Sequence, residues 1–160
     1  MRKLTFLSIC IALVFCLSFA SSAVAASDEE EVLQVPQKFI TAMNTSNFDM
    51  MSSLWWHSDK TTSFNPSSDP FLYDGWEIIG NGWKYISEMP PGSENVTIHH
   101  VQATMLGNNA AITTAYGYDV YTDPETKEET ISLVRQTLVL QKIGGKWLIV
   151  HHHASMFPIE

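Results

Sequence analysis

Gly145-Lys146-Trp147-Leu148-Ile149-Val150-His151-His152-His153-Ala154-Ser155 is the stretch on which the fold turns. Two glycines at 144 and 145 mark a tight turn, and an unbroken run of bulky, mostly branched or aromatic residues follows. That is the composition of a strand leaving a hairpin. Side chains alternate along a strand, so Leu148, Val150 and His152 share one face and Trp147, Ile149, His151 and His153 the other.

Upstream, the same texture repeats. Val96–Leu106, Ala110–Thr122 and Thr130–Lys142 are β-rich runs separated by Gly107-Asn108-Asn109 and by Asp123-Pro124-Glu125-Thr126. Together with Trp147–His153 they predict a four-stranded antiparallel meander. Before residue 96 the periodicity is helical. Val32, Val35, Phe39, Ala42 and Met43 recur at helical spacing over about Glu29–Met43, with an acidic first turn that suits the positive helix end. Pro36 would kink a helix that starts near Asp28. After the breakers Asn44 to Asn47, Phe48–Trp55 reads as a second helix and Thr61–Phe64 as a short strand. Asn65 to Pro70 is a loop. A third helix runs through Trp76, Ile79, Trp83 and Ile86, capped by Asp74 and weakened by Gly80 and Gly82. Helices first and strands afterwards is an α+β order.

The extreme N-terminus has a different purpose. Arg2 and Lys3 precede a charge-free stretch from Leu4 to Phe19, which closes on Ala23-Val24-Ala25 before the acidic run at Asp28–Glu31. This is the grammar of a secretory signal peptide, residues 1–25, cleaved after about Ala25 to leave a domain over 26–160. Serines at 18, 21 and 22 interrupt the stretch where a membrane anchor would continue, so no stable anchor is expected. The expected location is secreted or periplasmic. Cleavage removes both cysteines, and with them any disulfide or thiol chemistry. It also leaves 7 Lys and Arg against 17 Asp and Glu, a formal net charge of −10. Such an acidic surface argues against nucleic acid, whose phosphates need clustered Lys and Arg.

The C-terminal run resembles the closing strand of the nuclear-transport-factor-like superfamily, which includes SnoaL-like and ketosteroid-isomerase-like domains. In that superfamily a Gly-x-Trp turn, here Gly145-Lys146-Trp147, leads into a His-x-His-x-Ser run, here His151 to Ser155. Arg135-Gln136-Thr137-Leu138-Val139-Leu140 resembles the paired strand, Leu106 to Ala111 the central hairpin turn, and Gly75 to Ile79 with Trp83 the third helix. The resemblance implies a cone-shaped, curved antiparallel sheet wrapped around N-terminal helices, enclosing a pocket. It also implies a homodimer in which two sheets pack face to face. It leaves the activity open among isomerases, cyclases, dehydratases and association modules.

Within that frame, the set Val134, Leu138, Leu140, Leu148 and Val150 is the more apolar and is expected to face the helices, carrying Gln136 and His152 inward. The opposite face, with Trp147, Ile149, Val139, Thr137 and Arg135, is expected to be covered by a second copy. Trp55, Trp83, Tyr116, Tyr118, Gln136 and His152 are the expected lining of a site for a small, largely apolar ligand. His152 is the candidate general base if the pocket is catalytic; a core histidine bonded to a carbonyl is the plainer alternative. Asp119 alternates with Tyr116 and Tyr118 and is expected to face away from them. The run His151 to His153 has no cysteine or spaced carboxylate to complete a metal site, so neither metal nor cofactor is expected. Asn44-Thr45-Ser46 and Asn95-Val96-Thr97 match the glycosylation acceptor pattern, which short spacing often produces by chance.

Overall fold

Three helices and six strands appear in the computed structural model, which describes residues 28–65, 72–89, 94–123 and 125–159. The expected signal peptide lies outside the described residues. No helix among them is long and apolar enough to cross a membrane. Helix α1 covers 28–44 and runs straight through Pro36, whose ring is buried. The proline has no N–H to give the Val32 carbonyl, a loss that burial of Val32, Val35, Phe39, Ile40 and Ala42 on one face outweighs. Helix α2, Phe48–Ser53, starts at Asn47, whose side chain accepts from the Met50 N–H.

Strand β1 (Thr62–Phe64) and strand β2 (Leu72–Asp74) form an antiparallel pair, so Asp74 ends a strand. The cap of helix α3, Trp76–Ser87, is Gly75 at φ 83°, with no side-chain cap bond. The expected Asp74 cap is corrected accordingly: sheet pairing claims that residue first.

The meander follows as β3 (Glu94–Met105), β4 (Ala110–Thr122), β5 (Glu129–Ile143) and β6 (Lys146–Pro158), all antiparallel. The whole sheet has the order β2-β1-β6-β5-β4-β3, because β1 adds to β6 in parallel, with Ser63 opposite His152. The architecture is thus the expected α+β one, with a six-stranded curved sheet in place of a four-stranded one. Phe39, Trp55, Trp83, Leu138, Leu140 and Ile149 lie at the centre of the core between helices and sheet.

One expectation about the faces is overturned. On β5, Val134, Gln136, Leu138 and Leu140 do point inward. On β6, however, Trp147 and Ile149 are buried, while Leu148 and Val150 are only partly so. Leu140 pairs with Ile149 but Val139 with His151, which leaves Val150 as an extra residue in a β-bulge. A bulge shifts the alternation by one. Residues before it are therefore in the opposite phase, and His152 after it returns inward.

The outer edge of the sheet, β3, is tied to α1. The Asn44 amide donates to the Val96 carbonyl at 2.8 Å and accepts from the Val96 N–H at 3.0 Å. It thereby satisfies the backbone groups that an edge strand leaves open. The first of the two acceptor patterns is thus a structural clamp. Asn44→Ala is expected to cost about 1–3 kcal/mol, two part-buried hydrogen bonds at ~0.5–1.5 kcal/mol each, read from urea denaturation. An unchanged midpoint would mean that water replaces the amide at no cost.

Candidate functional site

The inner sheet surface is shallow in one region, where Ala115 and Gly117 on β4 and Ala154 on β6 are small. Helices α1 and α3 cross above it and leave a cavity of about 70 Å³. Its walls are apolar, made by Phe39, Ile40 and Met43 of α1, Trp83 and Ile86 of α3, and Val96, Val134 and Met156 of the sheet. Asn65, Asp119, Gln136 and His152 add the polar groups.

His152 is almost fully buried, at 2 % exposure. Phe39 lies 5.1 Å from its ring and Trp83 6.0 Å. Its Nδ1 is bonded to Ser63 Oγ across the β1–β6 pairing at 3.0 Å. Its Nε2 has no partner among the described residues. Burial pushes the imidazole pKa down to about 3, with the flanking His151 and His153 adding to the effect, so the ring is neutral at neutral pH.

Asp119 and Gln136 are buried as well, and each has one oxygen without a partner among the described residues, Oδ1 and Oε1 respectively. Burial raises the Asp119 pKa, opposed by a hydrogen bond from the Asn95 backbone N–H. Three residues that line one apolar cavity therefore each keep a buried polar atom without a partner among the described residues. Each costs about 1–3 kcal/mol of desolvation while unpaired.

Of the residues expected at the site, Trp83, Gln136 and His152 line the cavity. Trp55 is buried behind it, 6.1 Å from the His152 ring, and its Nε1 is also without a partner among the described residues. Tyr116 and Tyr118 are corrected: they stand on the opposite sheet face, 42 % and 41 % exposed. The alternation along β4 held as expected, but the position it sends inward is Asp119, so the carboxyl takes the place assigned to the tyrosines. Ser63, the orienting partner of His152, was not anticipated. Only the parallel pairing of β1 with β6 brings it there.

The outer face is rich in rings. Arg135 lies over Phe157 at 4.4 Å, and His100 stacks on Tyr116 at 5.0 Å. Phe64 lies edge-on between His151 and His153, and His151 Nδ1 is bonded to Thr62 Oγ1 at 2.6 Å. Among the described residues no three His, Cys, Asp or Glu side chains are grouped to hold a metal ion.

A curved sheet folded over helices around such a cavity defines the class: an α+β roll of the nuclear-transport-factor-like superfamily. Within it the chain belongs to the SnoaL-like domain family, whose model matches residues 32–160. Solved structures agree on the fold. A proposed dehydratase of the NTF2-like family from Streptomyces avermitilis superposes with a TM-score of 0.71 at 20% identity, over 84% of this chain and 97% of that one. The association domain of CaMKII from C. elegans gives 0.66 at 19% identity, over 81% and 96%. An NTF2-like superfamily protein from Salmonella enterica gives 0.69 at 17% identity, over 85% and 94%. Among curated proteins, the F-box protein SKIP8 of Arabidopsis thaliana is 24% identical over 129 residues. The match spans 81% of this chain but only 51% of that protein.

Proposed function

We propose that this chain is an exported SnoaL-like pocket protein that binds a small, largely apolar molecule as a homodimer. The observation that carries the reading is one apolar cavity whose lining includes Asp119, Gln136 and His152, each with a buried polar atom that has no partner among the described residues. Folded chains keep such groups where a ligand or ordered water completes them. The homodimer reading is supported by the outer face, where Tyr116, Tyr118, Ile131 and Phe157 are exposed, an apolar patch of the kind that marks an interface. Export follows from the reading of residues 1–25 and would place the ligand outside the cytoplasm.

One measurement reads all three parts. The full-length chain is expressed in a bacterium, recovered from periplasm or medium, and weighed by native mass spectrometry. The expected result is a dimer of chains beginning at about Ala26, with a small-molecule adduct that leaves on activation. Ala154→Leu, which pushes side-chain volume into the cavity from its wall, is expected to abolish the adduct while preserving the helical and strand signals in circular dichroism. An adduct-free wild type that also shows no thermal shift with any small molecule would sink the ligand reading. A monomer would sink the dimer, and an intact N-terminus the export.

A second reading is an isomerase, cyclase or dehydratase with His152 as general base. It is favoured by the neutral imidazole that Ser63 orients, and it requires a free lone pair on Nε2. A third, a pure association module, draws on the likeness to the CaMKII association domain and leaves the three orphaned atoms unexplained.

A further inference from the structure

The outer face of the sheet differs from the rest of the chain in its charge. The sequence carries 17 Asp and Glu against 9 Lys and Arg. On the outward strand positions the two signs balance. Arg135 lies mid-face opposite Tyr116, and Lys146 lies at the β5–β6 turn opposite Ile143. Glu129 opens β5 opposite Thr122, and Asp74 closes β2 opposite Thr62 at the far edge. Among the described residues the middle of the face carries no carboxylate. Its other titratable groups are Tyr116, Tyr118 and four histidines.

Both bulges of the meander turn histidines onto this face. Successive residues of a regular strand point to opposite sides. Yet the His99 ring meets Tyr118 at 6.4 Å, and the next residue, His100, stacks on Tyr116 at 5.0 Å. They share a side because β3 bulges between His99 and Gln102, with His100 at φ 49°. On β6, Trp147 and Ile149 are buried inward, so only the bulge at Val150 sends His151 and His153 outward. Thr62 Oγ1 and the edge of Phe64 hold His151 there, and these two outward residues of β1 bring no charge beside it. Asp74 is one strand further out.

A second copy of this chain suits such a face. Strongly acidic chains repel one another, and the repulsion is weakest where both surfaces lack carboxylates and expose rings, as Tyr116, Tyr118 and Phe157 do. A twofold interface brings the same patch from each side, so each set of histidines meets an identical set. Neutral imidazoles pack there as rings. Protonated ones add four like charges per copy beside Arg135, in a contact that has lost its water. Partial burial and the neighbouring His153 already hold the His151 imidazole below its ordinary value, a shift that a covering sheet would extend.

We propose that the outer sheet face is a proton-sensitive self-association surface: two copies dock through it while His99, His100, His151 and His153 are neutral and part when they ionise. The proposal rests on the homodimer reading above and adds its control by pH.

The test is sedimentation velocity of the purified chain from pH 7.5 to 5.5, with circular dichroism recorded at each pH. The dimer dissociation constant is expected to rise at least ~100-fold, because one histidine kept neutral in the dimer contributes ~10-fold over this range and symmetry supplies it twice. With all four histidines replaced by glutamine, the dimer is expected to persist with a constant nearly independent of pH. The milder pair His99→Gln and His100→Gln, which alters only exposed side chains, is expected to reduce the rise severalfold. Tyr118→Glu is expected to be monomeric at pH 7.5, since it places a carboxylate in the middle of the face. A dimer whose constant does not change with pH overturns the proton-sensitive surface and leaves the homodimer standing, as does a dimer that Tyr118→Glu leaves intact. Dissociation that appears only together with loss of the dichroism belongs to unfolding and overturns it too. A monomer at pH 7.5 overturns both readings.

Discussion

Gly117→Ala is expected to destabilise the protein by about 3 kcal/mol or more, the upper range of overpacking, and to lower its melting temperature by roughly 10 °C. Gly117 sits on the inner face of β4, buried, opposite Ile98 of β3. A methyl group there would land on the Thr97 backbone carbonyl, 2.7 Å from its carbon and 2.8 Å from the Ile98 Cα. Both obstacles are main chain, so no rotamer change relieves them. The strands would have to separate next to the bulge between His99 and Gln102, where β3 is already irregular. The consequence reaches the cavity as well, because Asp119 and Val96 pair two residues along the same ladder. Differential scanning calorimetry and urea denaturation of the variant check the magnitude. A melting temperature within 2 °C of wild type would show that β3 and β4 do not approach this closely in solution.

Acid is expected to unfold the protein in a manner traceable to His152. Its folded pKa is about 3 and its unfolded value 6.5, so between those limits the unfolded chain binds the extra proton. Stability is then present in full above pH 6.5 and is lost as pH falls towards 3, at up to about 1.4 kcal/mol per pH unit. His151, lowered by burial and by its neighbour His153, acts in the same direction. Asp119 acts in the opposite one. Its pKa is raised by folding, so its contribution is present below 3.8 and lost as pH rises through the folded value. The histidine's share is isolated by comparing wild type with His152→Leu in urea at pH 7.0, 5.5 and 4.5. The wild-type advantage is expected to shrink, or to reverse, as the pH falls. A gap between the two proteins that does not change with pH would mean that the imidazole is not held neutral in the core.

Much of the fold was legible in the residues, for identifiable reasons. The turns at 107–109 and 144–145 place the start of β4, the end of β5 and the start of β6 within a residue, because turns with positive φ leave few alternatives: Gly107, Gly144 and Gly145 all adopt it, whereas β6 runs on to Pro158, past the expected His153. The inward set on β5 was legible because that strand alternates without interruption from Ser132 to Leu140. Of the site, Gln136 was legible from period-two reasoning and Trp83 from the apolar side of its helix, while His152, grouped with Leu148 and Val150, is inward only because the bulge resets the phase after them. Three features were not. The bulge at Val150 has no glycine or asparagine to announce it, and it reversed Leu148 and Val150 relative to expectation. Strand β1 was read at Thr61–Phe64, but β2, three residues long, is too short for periodicity to register, and the place of β1 in the sheet is set by pairing with a strand 89 positions away, as Ser63 and His152 show. The tyrosines of β4 looked like pocket residues by chemistry. The strand's alternation sent them outward and Asp119 inward.

The division between the two kinds of information is therefore physical. Local properties, such as helix and strand periodicity, turn residues, net charge and the hydrophobic pattern, act over a few residues and are carried by the sequence alone. They determined an acidic α+β domain with a polar histidine and glutamine on its inner sheet face. Which polar atoms converge, and which are left without a partner, depends on long-range register, bulges and the packing of helices over small residues. Those set the neutral His152 beside Ser63, brought Asp119 to the lining of the same cavity and left a buried atom on each of Asp119, Gln136 and His152 without a partner among the described residues, and only the tertiary structure decides them.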